Sequence, residues 1–278
     1  MKAARGRGIP LRLPYLLLGL GVLVTATPYL WMISSSFKNQ VEIFAFPPTL
    51  IPQSPTLENY GQVMDRLPLL RIAFNSFLVS LSVTGLAIFF GALAGYAFAR
   101  LKFIGREFLF GLALFTMMFP AILFLIPRFM LIKQMGLVGT YPGLILPFVV
   151  NGLSIFLFRQ FFALIPNDLR DAAIMDGCSE MGVLFRIMLP LSKPVFVTAG
   201  VFTFMDTWND FLWPMVTTMG YPELMTMPVG LAFFSQSYIH YWGASMAMAT
   251  LFTVPVVLVY LFFQRCFVES IALTGLKG

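Results

Sequence analysis

From Ile72 to Ala99 the chain runs for 28 residues without a charged side chain. As a helix this run would be about 42 Å long at 1.5 Å per residue, more than the roughly 30 Å of a bilayer's hydrocarbon core. Backbone polar groups in lipid need internal partners, so only helices or closed barrels can span it. The alternating ten-residue pattern of barrel strands is missing from this sequence. Of the 278 residues 59% are hydrophobic and 11% charged, with a mean hydropathy of +0.85, which excludes an ordinary soluble domain. The expected fold class is all-α: one polytopic membrane domain over 1-278 with six transmembrane helices.

Six spans are read from the uncharged runs. They cover about 13-37, 72-99, 108-126, 141-158, 194-215 and 242-264. The first is longer than the apolar region of a signal peptide and is read as a retained helix. Residues 38 to 71 carry Pro47, Pro48, Pro52, Pro55 and Pro68, which suits an irregular external loop. In the second span Gly91 and Gly95 stand four apart, so another helix can approach its backbone closely. Pro120 predicts a kink in the third span, with Arg128 and Lys133 in a short external segment after it. Arg159 is expected to end the fourth span on the inside. The loop 216 to 240, with Glu223 and a solitary His240, is read as external.

Lys2, Arg5, Arg7, Arg12, Arg100, Lys102, Arg106, Arg159, Arg170, Arg186, Lys193, Arg265 and Lys277 then fall inside. Lys38, Arg66, Arg71, Arg128 and Lys133 fall outside. That division of the 18 basic residues, thirteen against five, places both termini in the cytoplasm. The formal charge of +6 therefore reports topology, and no basic stripe interleaved with aromatics points to nucleic acid. Cys178 and Cys266 are too few for a metal cluster and are read as reduced structural thiols. No metal site is expected.

Between the fourth and fifth spans lies one soluble-looking island, 166-194. Asn167 and Asp168 stand in capping positions, Gly177 breaks the first helical stretch, Ser179 and Glu180 restart it, and Pro190 is expected to stop it. Two short helices at the membrane surface are predicted.

The island reads Asp171-Ala172-Ala173, then Asp176-Gly177, then Phe185, Ile187, Leu189-Pro190-Leu191 and Pro194. In spacing it resembles the cytoplasmic EAA loop of the membrane subunits of ABC importers, with Asp171 where the family usually has Glu. Trp208-Asn209-Asp210-Phe211, Met227-Pro228-Val229-Gly230-Leu231 and the tail Leu273 to Gly278 are similar to the carbohydrate-uptake branch, the group of the maltose-type second permease subunit. The tail is a drifted version of that branch's ending. The likeness covers the chain from about Asn75 onward.

The resemblance implies a bacterial or archaeal cytoplasmic membrane protein working with a second permease subunit, a cytoplasmic ATPase dimer and an extracytoplasmic solute-binding protein. ATP and Mg2+ would belong to the ATPase, because this chain holds no G-x-x-x-x-G-K-[ST]. It also implies that Asp171, Ala172, Ala173, Asp176 and Gly177 couple the chain to that ATPase. Small Ala172 and Ala173 would let the partner approach closely. Asp171 and Asp176, five apart, lie roughly 140° apart on a helix, so Asp171 is read as facing the partner and Asp176 as fixing the turn. Met181, Val183, Leu184, Phe185, Ile187 and Met188 are expected to pack on the inner ends of the spans.

Ionisable groups inside a span default to functional roles. Asp206 and Asp210 are four apart and share a helix face with Asn209 and Trp213, a set that can bond sugar hydroxyls and stack on a sugar face. Contact with sugar and a structural role both remain open for it. Asn151 and Ser154 in the fourth span are weaker candidates, as are Asn75, Ser76, Ser245, Thr250 and Thr253. The alternative function is a secondary transporter or channel acting without an ATPase, but six spans make only half of a usual carrier. An intramembrane enzyme is not expected, since no H-E-x-x-H or G-x-S-x-G lies in a span. The solute is a sugar or sugar-like molecule, with glycerol 3-phosphate as the alternative.

Overall fold

A computed structural model describes the backbone of residues 12–235 and 241–275, and side chains over 14–234 and 241–264. Lys2, Arg5, Arg7, His240 and Lys277, and the side chains of Arg12, Arg265 and Cys266, lie outside these described residues. Every regular element described is helical. The chain divides into two compact units, Met1–Pro68 with Leu231–Thr253, and Leu69–Gly230 with Val254–Gly278.

The first unit contains α1 (Arg12–Ser36), α2 (Gln40–Ile43) and α3 (Glu58–Arg66). The proline-rich stretch expected to be irregular is ordered around a buried cation. Lys38 is fully buried, lies 4.4 Å over the Trp31 ring and donates to the Thr49 carbonyl. Glu42 accepts from the Gln53 N–H at 2.7 Å, and this bond holds its carboxyl below the usual range. Asn59 donates to the carbonyls of Ser36 and Lys38 at 2.9 and 2.7 Å.

The second unit is organised by α4 (Leu69–Arg100), which has no proline to bend it. After it come α5 (Arg106–Met117), α6 (Leu125–Gln134), α7 (Tyr141–Ile145), α8 (Gly152–Leu164), α9 (Asn167–Met175), α10 (Glu180–Val183), α11 (Leu189–Leu191), α12 (Lys193–Trp208) and α13 (Leu212–Thr217). The remaining helices are α14 (Met227–Ser235) and α15 (Trp242–Gly275). The close approach expected at Gly91 and Gly95 is present. A Cβ on Gly95 would meet Phe158 Cβ at 2.6 Å and the Arg159 nitrogen at 2.9 Å, so α8 lies directly on this face of α4.

Among the described residues three helices are long and apolar enough to cross a membrane, Pro14–Ser36, Leu69–Arg100 and Trp242–Gln264. The other three expected spans are broken. Arg106–Met117 and Ala121–Gln134 meet at 102°, far beyond the kink expected at Pro120, and Arg128 and Lys133 lie within α6. Tyr141–Phe148 meets Gly152–Leu164 at 43°, because Asn151 starts a new helix by accepting from the Ser154 N–H at 3.0 Å. That helix runs on to Leu164, so Arg159 does not end it. The fifth run breaks after Trp208, and the loop expected over 216 to 240 contains α14. By length and composition the described residues thus offer three candidate spans as single helices, or up to six if each bent pair makes one.

Candidate functional site

The island folds as two helical arms. Pro166, with extended backbone, precedes α9, so neither Asn167 nor Asp168 is its cap. Asn167 instead accepts through Oδ1 from Arg100 at the end of α4, and Asp168 remains in the first turn, where the helix dipole favours an acid. The turn after α9 is closed by main-chain bonds. Gly177 N–H donates to the Ile174 carbonyl and Cys178 N–H to the Ala173 carbonyl, both at 2.9 Å, with Gly177 at φ +82°. This is a left-handed helix end that glycine adopts without strain. The Asp176 side chain is exposed beside it.

Ser179 caps the second arm by accepting from the Gly182 N–H at 3.2 Å. The path does not stop at Pro190. A wide π turn over Leu184–Met188 leads into α11, where Pro190 occupies a first-turn position that needs no N–H. The chain then bends by 81° at buried Ser192 to enter α12.

Ala173, Val183, Leu184 and Met188 pack with Ala92 and Tyr96 of α4 and Phe158 and Phe162 of α8 in one apolar cluster. Ala173 therefore faces the chain's own core, whereas Asp171, Ala172, Asp176 and Gly177 are exposed. Met181 and Phe185, expected to pack inward, are exposed too. Polar side chains complete the anchorage. The Glu180 carboxylate accepts from the Tyr96 hydroxyl and from Arg170, and Arg170 also pairs with Asp171 at 3.1 Å. Arg100 donates to the carbonyls of Phe162 and Ile165 at the end of α8.

The second candidate set surrounds a cavity of about 630 Å³. Asp206, Asn209, Asp210 and Trp213 all line it, although α12 ends between the two aspartates. Asn209 turns back to donate to the Met205 carbonyl at 2.7 Å. Asp210 accepts from the Trp213 N–H at 3.3 Å at the start of α13. Trp213 is buried, donates Nε1–H to the Gly143 carbonyl at 3.2 Å, and packs edge-on against Phe148. Asn151 and Ser154 are not in the lining: Asn151 caps α8, and Ser154 sits against Gly91. Asn75 is also structural here, donating to the carbonyls of Glu223 and Met225 at 2.9 Å.

The residue that sequence reasoning missed is Arg128. It lines the cavity, with its guanidinium 4.7 Å over Phe148 and 5.7 Å over Trp213. The signal was present: an arginine within an apolar run just after Pro127.

The family described as binding-protein-dependent transport system inner membrane component matches residues 87–272. The chain belongs to that family. It is 35% identical to the arabinooligosaccharides transport system permease protein AraQ of Halalkalibacterium halodurans, over 92% of each chain. It is also 35% identical to the sulfoquinovosyl glycerol transport system permease protein SmoH of Agrobacterium fabrum, over 90% of this chain and 88% of that one. The trehalose transport system permease protein SugB of Mycobacterium tuberculosis is 35% identical, over 90% and 92%. Among solved structures, a chain of a bacterial ABC transporter involved in the import of the acidic polysaccharide alginate aligns with a TM-score of 0.81. It covers 95% of this chain and 99% of that one at 22% identity, a likeness of fold. These relatives are transport components, not enzymes, and they favour an importer permease over a carrier or channel working alone.

Proposed function

We propose that this chain is the membrane subunit of an ATP-driven importer for a sugar or sugar-like solute. It crosses the bacterial inner membrane six times with both termini in the cytoplasm, as one permease domain. A second permease subunit supplies the other half of the pathway, and an extracytoplasmic binding protein delivers the solute. A cytoplasmic ATPase dimer carries ATP and Mg2+. Its docking surface on this chain is the exposed face of α9, with Asp171, Ala172, Asp176 and Gly177, and Ala173 seats that helix from behind. The observation that carries this reading is the two-sidedness of α9: Ala173 is sealed into the core while Ala172, one position before it, is bare. A stiff element with one anchored and one open face can pass on rigid-body movement.

Asp206, Asn209 and Asp210, joined by Arg128, form this chain's wall of the solute path. Two carboxylates, an amide and a guanidinium offer acceptors and donors to hydroxyls, which suits a neutral oligosaccharide better than glycerol 3-phosphate. Buried Trp213 fixes the wall, while Asn151 and Ser154 lie apart from it, at the start of α8. The test is affinity purification from native membranes, identification of the accompanying chains, and ATP-dependent uptake into vesicles of labelled arabinotriose, trehalose and glycerol 3-phosphate. An ATPase and a second permease should accompany the chain, with uptake of a neutral saccharide. Uptake of glycerol 3-phosphate alone would overturn the solute assignment. Asp206→Asn and Asp210→Asn should keep the assembly and lower uptake; loss of assembly instead would make the pair structural.

A further inference from the structure

We infer that the Tyr96–Glu180–Arg170 cluster, reinforced by Arg100 on Asn167, is the joint that fastens α9 to α4, and that α4 is the rod carrying movement from the docking loop to the cavity wall. This rests on the reading of α9 as the ATPase-docking helix.

Glu180 is where three elements meet. It opens the second arm, takes the Tyr96 hydroxyl from α4, and takes Arg170 of the first arm through Nε at 3.3 Å and through a second nitrogen. Arg170 continues to Asp171 on the open face, so an unbroken polar path runs from the docking charge to the span. One turn beyond Tyr96 on the same face of α4, Arg100 holds the start of α9. The start and the middle of the first arm are thereby tied to a single helix, Asn167 directly and Arg170 through Glu180.

The middle of that helix reaches the wall. Val79 and Val83 pack with Ile132, Leu144 and Trp213 in a second apolar cluster, and Trp213 lines the cavity. From Val83 to Tyr96 is about 20 Å along a proline-free helix. A helix of that kind moves as a body, so displacement entering at Tyr96 arrives at Val79 and Val83. Apolar packing under α9 persists without the polar joint, because a phenylalanine at 96 would still meet Phe162 edge-on. Removing the joint should therefore loosen coupling and leave the fold intact.

The test uses nitroxide labels at Leu169→Cys and Leu81→Cys, both on exposed sites, in a background with Cys178 and Cys266 replaced by serine. Pulsed electron resonance reads their separation in the complete transporter, with and without magnesium-ATP and vanadate. In the parent the distribution should be narrow and the same in both states. In Tyr96→Phe/Glu180→Gln it should broaden about twofold and shift on nucleotide trapping, with the ATPase still attached. A double variant that keeps the parent's distribution in both states overturns the joint, as does a parent whose separation changes on trapping. Failure of the parent to carry an ATPase would instead overturn the docking reading, and the width in the isolated chain would still decide the joint.

Discussion

The segments 38–57 and 166–191 both interrupt apolar runs, both carry proline or glycine, and both hold charged side chains away from water, yet they do so in opposite ways. In the first, Lys38 and Glu42 find their hydrogen-bond partners within the segment, at Thr49 and Gln53, and Lys38 also lies over Trp31 near the end of α1. In the second, the partners are Tyr96 and Arg100 on a long helix, so the segment is fastened to something else. Their outer surfaces differ as well. Phe46 and Ile51 are 95% and 78% exposed on the first, while the second exposes the acids Asp171 and Asp176 and small Ala172 beside Met175. A segment bonded mainly within itself can serve as a fixed platform; a segment fastened to a span can drive it.

That contrast can be broken by asking which segment responds to a distant change. Phe158→Ala removes a fully buried ring beneath the loop and should cost about 3–5 kcal/mol. Amide exchange should rise through 166–191 and stay unchanged through 38–57; a rise in both would erase the distinction. Lys38→Met should do the reverse. It leaves the Thr49 carbonyl without its buried donor, at about 1–3 kcal/mol, and should open 38–57 alone.

Gly177→Ala places a side chain at φ +82° in otherwise open space, so only the backbone penalty of about 1–2 kcal/mol applies. Exchange should accelerate at the α9–α10 turn, with Tyr96 still holding Glu180. The smallest effect concerns pH. Glu42 has its carboxyl held below the ordinary value of about 4.3 by the Gln53 N–H. Its contribution is complete above that ordinary value and is lost as pH falls through the lowered one. Exchange in 38–57 should therefore rise on acidification, and Glu42→Gln should remove that dependence.

The sequence made the uninterrupted spans legible, because bilayer thickness alone sets their length: 72-99 was expected and Leu69–Arg100 is found. It also located the island and the approach at Gly91 and Gly95. The broken spans were not legible to the same degree. The fresh starts at Asn151 and Asp210 depend on which side chain takes a backbone N–H, which spacing does not settle. Asp206 and Asp210 share a cavity even though the helix meant to align them ends at Trp208. Nor could spacing tell that Ala173 is buried while Ala172 is exposed, since that requires knowing where α4 and α8 lie. Arg128 was not read as a path residue, because the 102° bend that brings it to the cavity cannot be seen in spacing.

The central claim is that the bare side of α9 receives the ATPase. Ala172→Arg tests it most directly, because Ala172 is exposed, α9 tolerates arginine, and the buried neighbour Ala173 is untouched. Measured by co-purification from membranes, the variant should fold with unchanged thermal stability, retain its partner permease and lose the ATPase. Retention of the ATPase together with parental uptake would contradict the account.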